Sequence, residues 1–438
     1  MPGAGRAMPF LAGACVLDVT PPAGLAMAGF AARTEPALGA HDPLTVRALA
    51  INDTAIVTAD VIGLSEESCG RIRARSGLPG SHVIVTATHT HGGPAVLPGR
   101  LGASHNAAYL LRLENACVEA IGGALARQQP ARLWFGEGAD PGVARNRRQP
   151  GGLVDPRVPV LRVETESGEP IAIAFSYACH PVTLGPDNLH YTADYPGAAR
   201  DVIERRWPSA VALFLTGCAG DLNTGHSAQA SFSKTPDARR TFAEAERIGR
   251  IIAECALDAA LQPVEGPVRA HASELLLNFE RREQDLPALA ALWRAEAAAA
   301  DASRAAILQT WARWAATAAA GPLTPWRARA AALQWGSVTL AALPGEIFAA
   351  TGAALRQNIL ARGAAGAMTL AYANGCPGYF PPRDQYASGG YEVDEAHRFY
   401  GLPAAFQPGS AEALADAVLA MLDLPQGAVS VSPKPKPI

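Results

Sequence analysis

Two histidines set two residues apart carry the strongest chemical signal in the chain. They lie in Thr88-His89-Thr90-His91-Gly92-Gly93-Pro94, directly after the apolar, β-branched run 82–88. Side chains alternate along a strand, so His89 and His91 can face one side, and the two glycines then let the backbone turn away. Imidazoles at a strand end suit a metal ion, or one ligand beside one acid/base group. Equivalent places elsewhere offer more groups of this kind. His180, in Ala178-Cys179-His180-Pro181, closes the run 170–178, and Asp221 and Asn223, in Gly220-Asp221-Leu222-Asn223, close the run 210–216. Glu346 follows 337–343, and Tyr379 follows 368–373. Ligands of layered α/β folds bind beyond the carboxyl ends of strands, so these ends describe one convergent site. His105, His226, His271 and His397 lack that context and read as structural or surface residues. Two neutral imidazoles and a carboxylate with further oxygen ligation suit zinc as a Lewis acid, which brings a bound water's pKa to about 7. Two histidines and one carboxylate are equally the facial triad of non-haem iron oxygenases, and residue types alone leave both open.

The elements that must position these residues alternate between apolar β-branched runs and Ala-rich stretches, the pattern of an α/β fold. Strands are expected at 14–20, 46–51, 55–59, 82–88, 159–163, 170–178, 210–216, 337–343 and 368–373, and helices at 107–127, 196–206, 240–260 and 347–360. The expected architecture is layered, with mixed β-sheets flanked by helices in one catalytic domain over 1–425. Within it, 281–329 is dominated by Ala, and Ile307, Trp311 and Trp314 fall at i, i+4 and i+7 on one helical face. Asp285 before Leu286-Pro287 starts a helix and Gly321-Pro322 stops one, so the segment reads as a helical hairpin inserted on the main body, with a pocket wall as the alternative. The Pro- and Lys-rich end, 426–438, has nothing to bury and reads as a flexible tail.

Composition narrows the function. Lys plus Arg number 37 against 40 Asp plus Glu, a net charge of −3, which argues against a surface that tracks nucleic-acid phosphates. No apolar run reaches the eighteen or so residues of a membrane-spanning helix. The seven cysteines are scattered, odd in number and never in a C-x-x-C pair, which fits reduced thiols rather than a disulfide framework. Arg6 precedes an apolar stretch, 7–17, that resembles a weak secretory signal, but that stretch runs into a strand and the Pro21-Pro22 turn, so a cytoplasmic protein is expected. The expected partners are a small-molecule or acyl-chain substrate and, at most, further copies of the chain in a homo-oligomer.

Together these motifs resemble the N-terminal catalytic domain of the neutral (alkaline, non-lysosomal) ceramidase family. The resemblance runs from Asp18-Val19-Thr20-Pro21 and Met27-Ala28-Gly29-Phe30 through the His89/His91 motif, Asn146-Arg147-Arg148, His180 and Gly220-Asp221. It ends with Pro344-Gly345-Glu346 and the run from Tyr379 to Tyr400-Gly401. It implies a zinc ion held by His89, His180, Glu346 and Tyr379, with His91 beside it to move a proton or orient substrate. It further implies that Arg147 holds the scissile group or its product carboxylate, and that Tyr391 donates to the developing oxyanion, an effect on the order of 3 kcal/mol. Asp221 would orient its neighbours. Where the family has a serine treated as catalytic, this chain has Asn223, which cannot form an acyl-enzyme but whose amide can donate to an oxyanion. The family's extra C-terminal β-sandwich domain is not expected here, and 281–329 lies outside the resemblance. The expected activity is therefore zinc-dependent hydrolysis of an N-acyl-type amide bond by metal-bound hydroxide. Ester or lactone hydrolysis at the same site, a non-haem iron enzyme, and a non-catalytic ligand-binding remnant are the alternatives.

Overall fold

The computed structural model describes residues 10–101, 104–226, 228–283 and 285–423. The expected tail, 426–438, lies outside them.

Two β-sheets face each other, and helices cover both outer faces. Among the described residues the larger sheet has nine strands. Its path runs Val211–Thr216, Pro170–Tyr177, Val158–Thr165, Gln129–Gly138, Phe10–Asp18, Thr45–Ile51, Thr54–Ala59, Val83–Ala87, with Gln262–Val264 paired to Gln129–Gly138. Both end pairs are parallel and the strands between are antiparallel. The smaller sheet orders Val268–Leu277, Trp326–Trp335, Val338–Ala342 and Gly366–Leu370. Period-two alternation sorts the side chains between layers. Leu49, Ile51, Leu161 and Leu213 of the large sheet meet Leu333, Trp335, Leu340 and Met368 of the small one. Val46, Ala48 and Val57 turn the other way, against the helix Ala107–Ala126. The helices Asp194–Arg206 and Phe242–Leu257 cover the strands at the other end of the large sheet. Ala349–Ala361 and Ser410–Leu422 cover the small sheet.

The layered mixed sheets of the sequence reading are therefore present, with several strands it did not include. Trp326–Trp335 is Ala-rich and helix-like in composition, yet it pairs with Val268–Leu277 over ten registered positions. Its first four residues fall inside the 281–329 segment, so the helical part ends earlier. Pairing and burial on both faces override local propensity here. The hairpin itself consists of Leu286–Ala299, capped by Asp285, and Ala302–Ala320. It buries Trp293, Ile307, Trp311 and Trp314 against one another and against Phe399. The Arg398 guanidinium lies 5.0, 4.7 and 5.6 Å from the rings of Trp293, Trp311 and Trp314. All seven cysteines are unpaired. No described helix is long and apolar enough to cross a membrane.

The segment 370–374 ties the sheets together. Leu370 bridges Gly217, Ala373 bridges Thr86, and the Asn374 amide donates to the Val85 carbonyl at 2.7 Å. It thereby bonds both edge strands of the large sheet and draws the ends that carry His89, His180, Asp221 and Glu346 into one place. A second fixture lies behind His89. Asp60, fully buried, receives both Nη1 and Nη2 of Arg200 at 2.8 Å, and the Thr45 amide and hydroxyl at 2.8 and 2.9 Å. Asp60→Ala leaves the buried Arg200 charge uncompensated and should lower unfolding free energy by about 3–5 kcal/mol in denaturant titration.

Candidate functional site

His89 lies two residues beyond the end of Val83–Ala87, in a left-handed conformation with φ 63°. Alternation along a strand therefore does not place it beside His91; specific hydrogen bonds do. The His89 amide donates to the Val61 carbonyl at 3.0 Å, and His89 Nδ1 meets the Ile62 carbonyl at 2.5 Å. The ring of Tyr372, itself at φ 54°, stacks on His89 with centroids 4.0 Å apart. Backbone strain of this kind persists only where the surroundings over-determine it. Gly92 is required for space: a Cβ there would lie 2.4 Å from the Thr192 carbonyl oxygen.

His180 is pinned in the same manner. Its Nδ1 lies 2.7 and 2.9 Å from the carbonyls of Ala219 and Leu222, so that nitrogen carries the proton and Nε2 presents its lone pair. Glu346 arrives from the opposite side on the short strand Glu346–Ile347, paired in parallel with Tyr379–Phe380 so that Glu346 and Tyr379 are register partners. Gly345 makes the bend before it at φ 66°, where a Cβ would lie 2.4 Å from the Gly378 carbonyl oxygen. Glu346 Oε2 is 2.9 Å from His180 Nε2 and 3.4 Å from His89 Nε2, all three groups essentially excluded from solvent. The Tyr400 hydroxyl bonds Glu346 Oε1. Burial, then the Arg147 charge, brings His180 down to about 4.

This donor set fits a cation. With both Nδ1 atoms engaged by carbonyls, two Nε2 lone pairs and a carboxylate oxygen converge in a spot screened from solvent, an arrangement that repels unless a positive charge lies among them. His89 Nε2 has no hydrogen-bond partner, and neither do His91 Nδ1 and Nε2. One ligand atom from each of His89, His91 and His180 falls within 4.8 Å of the others, so the three histidines could hold a metal ion.

The remaining expected residues divide between the cleft and its supports. Arg147, His91, Asn223, Tyr379 and Tyr391 line the same cleft as His89 and Glu346. Arg147 donates to the Tyr379 hydroxyl at 2.9 Å and the Gly220 carbonyl at 3.0 Å, and its Nε bonds Glu392 at 2.8 Å. The Tyr391 ring stands 5.8 Å from that of Tyr379. His91 is pushed well below the ordinary imidazole value by burial and then by His89 and His180, so it is neutral at pH 7. Asp221 is a support. Its Oδ1 accepts from the Ala349 amide and its Oδ2 from Asn146, each at 2.8 Å, which joins the segments that carry Glu346 and Arg147. Asn223 is on the cleft wall, but its side chain is engaged in its own turn: Nδ2 donates to the His226 carbonyl, and Oδ1 accepts from the amides of Gly225 and His226.

The sequence reading missed several neighbours. Tyr372, Tyr400 and Glu392 hold the site, while Phe30, His226 and Arg240 line it. The signal for Tyr372 was available, since it falls at the end of the expected strand 368–373. His226 was set aside because no strand precedes it; the turn closed by Asn223 brings it in.

Comparison of the sequence with protein-family models and with curated proteins gave no match. Comparison with solved structures shows a neutral ceramidase-like fold. The neutral ceramidase from Pseudomonas aeruginosa superposes with a TM-score of 0.75 over 98% of this chain and 77% of that one, at 19% identity. A ceramidase complexed with C2 gives the same figures.

If the histidine cluster is a metal site, chelation should lower the melting temperature of the wild-type chain and re-addition of metal should restore it. His180→Ala should show neither response in the same thermal scans.

Proposed function

We propose that the chain is a zinc-dependent hydrolase that cleaves the amide bond of an N-acyl substrate. The observation that carries this reading is the pair of Nε2 lone pairs, fixed through Nδ1 to backbone carbonyls and turned on the Glu346 carboxylate in a cleft that also contains Arg147 and Tyr391. His89, His180, Glu346 and Tyr379 would hold the ion, in line with the ceramidase-like fold. Zinc, when bound, supplies Lewis acidity and brings the pKa of water to about 7.

The chain's own residues account for the rest. His91, neutral and with both ring nitrogens unpartnered, accepts the proton released as water adds to the carbonyl and returns it to the departing nitrogen. Tyr391 donates to the carbonyl oxygen as charge develops there; burial raises its hydroxyl above the ordinary phenol value, so it stays protonated. Arg147 keeps its charge, because Tyr379 and Glu392 outweigh the cost of burial, and it receives the product carboxylate. Glu392, bonded by Arg147 and by Arg148 Nη1 at 2.6 Å, fixes that guanidinium in place. Water adds across the C–N bond, and the products are a carboxylic acid and an amine. Asn223 Nδ2 gives one of its two N–H groups to the His226 carbonyl, and the other is the donor it would offer an oxyanion.

Tyr391→Phe should lower kcat on an N-acyl amide about 100-fold, the worth of one oxyanion donor, while metal content per chain stays at the wild-type value. Steady-state kinetics and elemental analysis of the same preparation check both. Full activity in the variant would remove Tyr391 from the mechanism.

A further inference from the structure

Two guanidiniums that the hydrolysis described above does not use, Arg240 on the cleft lining and Arg33 near it, lie over the ring of Phe30. Arg33 and Arg240 lie 4.9 and 5.4 Å from the ring of Phe30, whose centroid is 4.8 Å from that of His91. Phe30, His91 and Arg240 all line the cleft. Among the described residues, both arginines are bonded only to neutral acceptors. Arg240 Nη2 donates to the carbonyls of Val182 and Leu184 at 3.1 and 2.7 Å. Arg33 donates to the carbonyls of Ala28, His91 and Asn188 and to Met27 Sδ. Each Nε is buried without a partner, and Arg33 is only 7% exposed.

The nearby acids do not neutralise the pair. Asp187, Asp194 and Asp237 favour the charge of Arg240, but none makes an ion pair with it within 4.0 Å. The Asp194 carboxylate accepts the amides of Leu184 and Tyr195, and that of Asp237 pairs with Arg239 at 2.6 Å. Burial and then the Arg240 charge bring Arg33 down to about 9, against a smaller opposing effect of Asp187, which acts on both guanidiniums without bonding either. A buried guanidinium such as Arg33 is ordinarily paired, and the planar fork of the half-buried Arg240 matches a carboxylate.

We infer that Arg240, backed by Arg33, is an anion subsite of the cleft, and that the substrate is an amide bearing a carboxylate, of the N-acyl amino acid type. This rests on the amide-hydrolase reading for the word substrate, but not for the binding it predicts. The cleft then has two cations: Arg147 for the acid formed at the broken bond, and Arg240 for the carboxylate the substrate brings. Ser231 and the neutral imidazole of His226, held near 4 chiefly by burial, offer uncharged polar contacts in the same cleft.

The test uses two sulfonamides that amide hydrolysis cannot cleave, N-octylsulfonyl-glycine and N-octylsulfonyl-ethanolamine, which differ in the carboxylate. By titration calorimetry the wild-type chain should bind the glycine compound at least about 10-fold more tightly, as a charge-assisted pair in a water-poor cleft would. Arg240→Gln should reduce that ratio to about 1, and Arg240→Lys should retain part of it, as a charge without the fork. Thermal unfolding checks that the variants fold, with Arg240→Met in reserve for Arg240→Gln. Equal affinity for the two probes, no measurable binding of either, or a ratio that survives Arg240→Gln overturns the inference. Hydrolysis of N-octanoyl-glycine and N-octanoyl-ethanolamine is followed separately. Preferential binding without hydrolysis leaves the subsite standing and removes the amide-hydrolase reading; hydrolysis without preference does the reverse.

Discussion

The site depends on how two histidines are prevented from turning. In each, a backbone carbonyl occupies Nδ1, so the tautomer is fixed and the Nε2 lone pair is directed at Glu346. The carbonyls of Ile62, Ala219 and Leu222 belong to connections that leave the ends of different strands, so the orientation of both rings is a property of the whole sheet. Buried lone pairs facing a buried carboxylate are costly without a cation. The fold pre-arranges that cost, and an ion that fits between them turns it into affinity.

Much of the architecture serves this convergence. The segment 370–374 bonds both edge strands of the large sheet, and Asp60 with Arg200 fixes the chain just ahead of the Val61 and Ile62 carbonyls that hold His89. Asp221 performs the same task on the other side, with one oxygen on Ala349 and the other on Asn146. The helical hairpin reaches the site indirectly. Its Trp311 packs on Phe399, which lies beside Tyr391. The segment that carries Tyr391 and Tyr400 is thus held between the hairpin and the cleft.

The sequence made the convergent residues legible because their chemistry is unusual at strand ends. His89, His180, Glu346 and Tyr379 each follow an apolar run, and strand-end placement needs only the run and its direction. What escaped it depends on pairing and on turns. Trp326–Trp335 reads as helix until its ten-residue partner is known. His226 and Arg240 reach the cleft from stretches with no strand before them. Nothing in the spacing of Asn223 reveals that the His226 carbonyl takes one of its two N–H groups. The fold family was visible in motif order, and the superposition on neutral ceramidase agrees with it at 19% identity, where the match shows the fold and leaves the chemistry to the site.

The central claim, that His89, His180 and Glu346 together hold a zinc ion, is tested most directly by anomalous diffraction. Crystals of the protein, purified without added metal, would be measured on either side of the zinc absorption edge. The account predicts one peak per chain, absent below the edge, within bonding distance of both Nε2 atoms and a Glu346 oxygen. No peak there after the crystals are soaked in zinc would contradict it, as would a peak that appears at the iron edge instead.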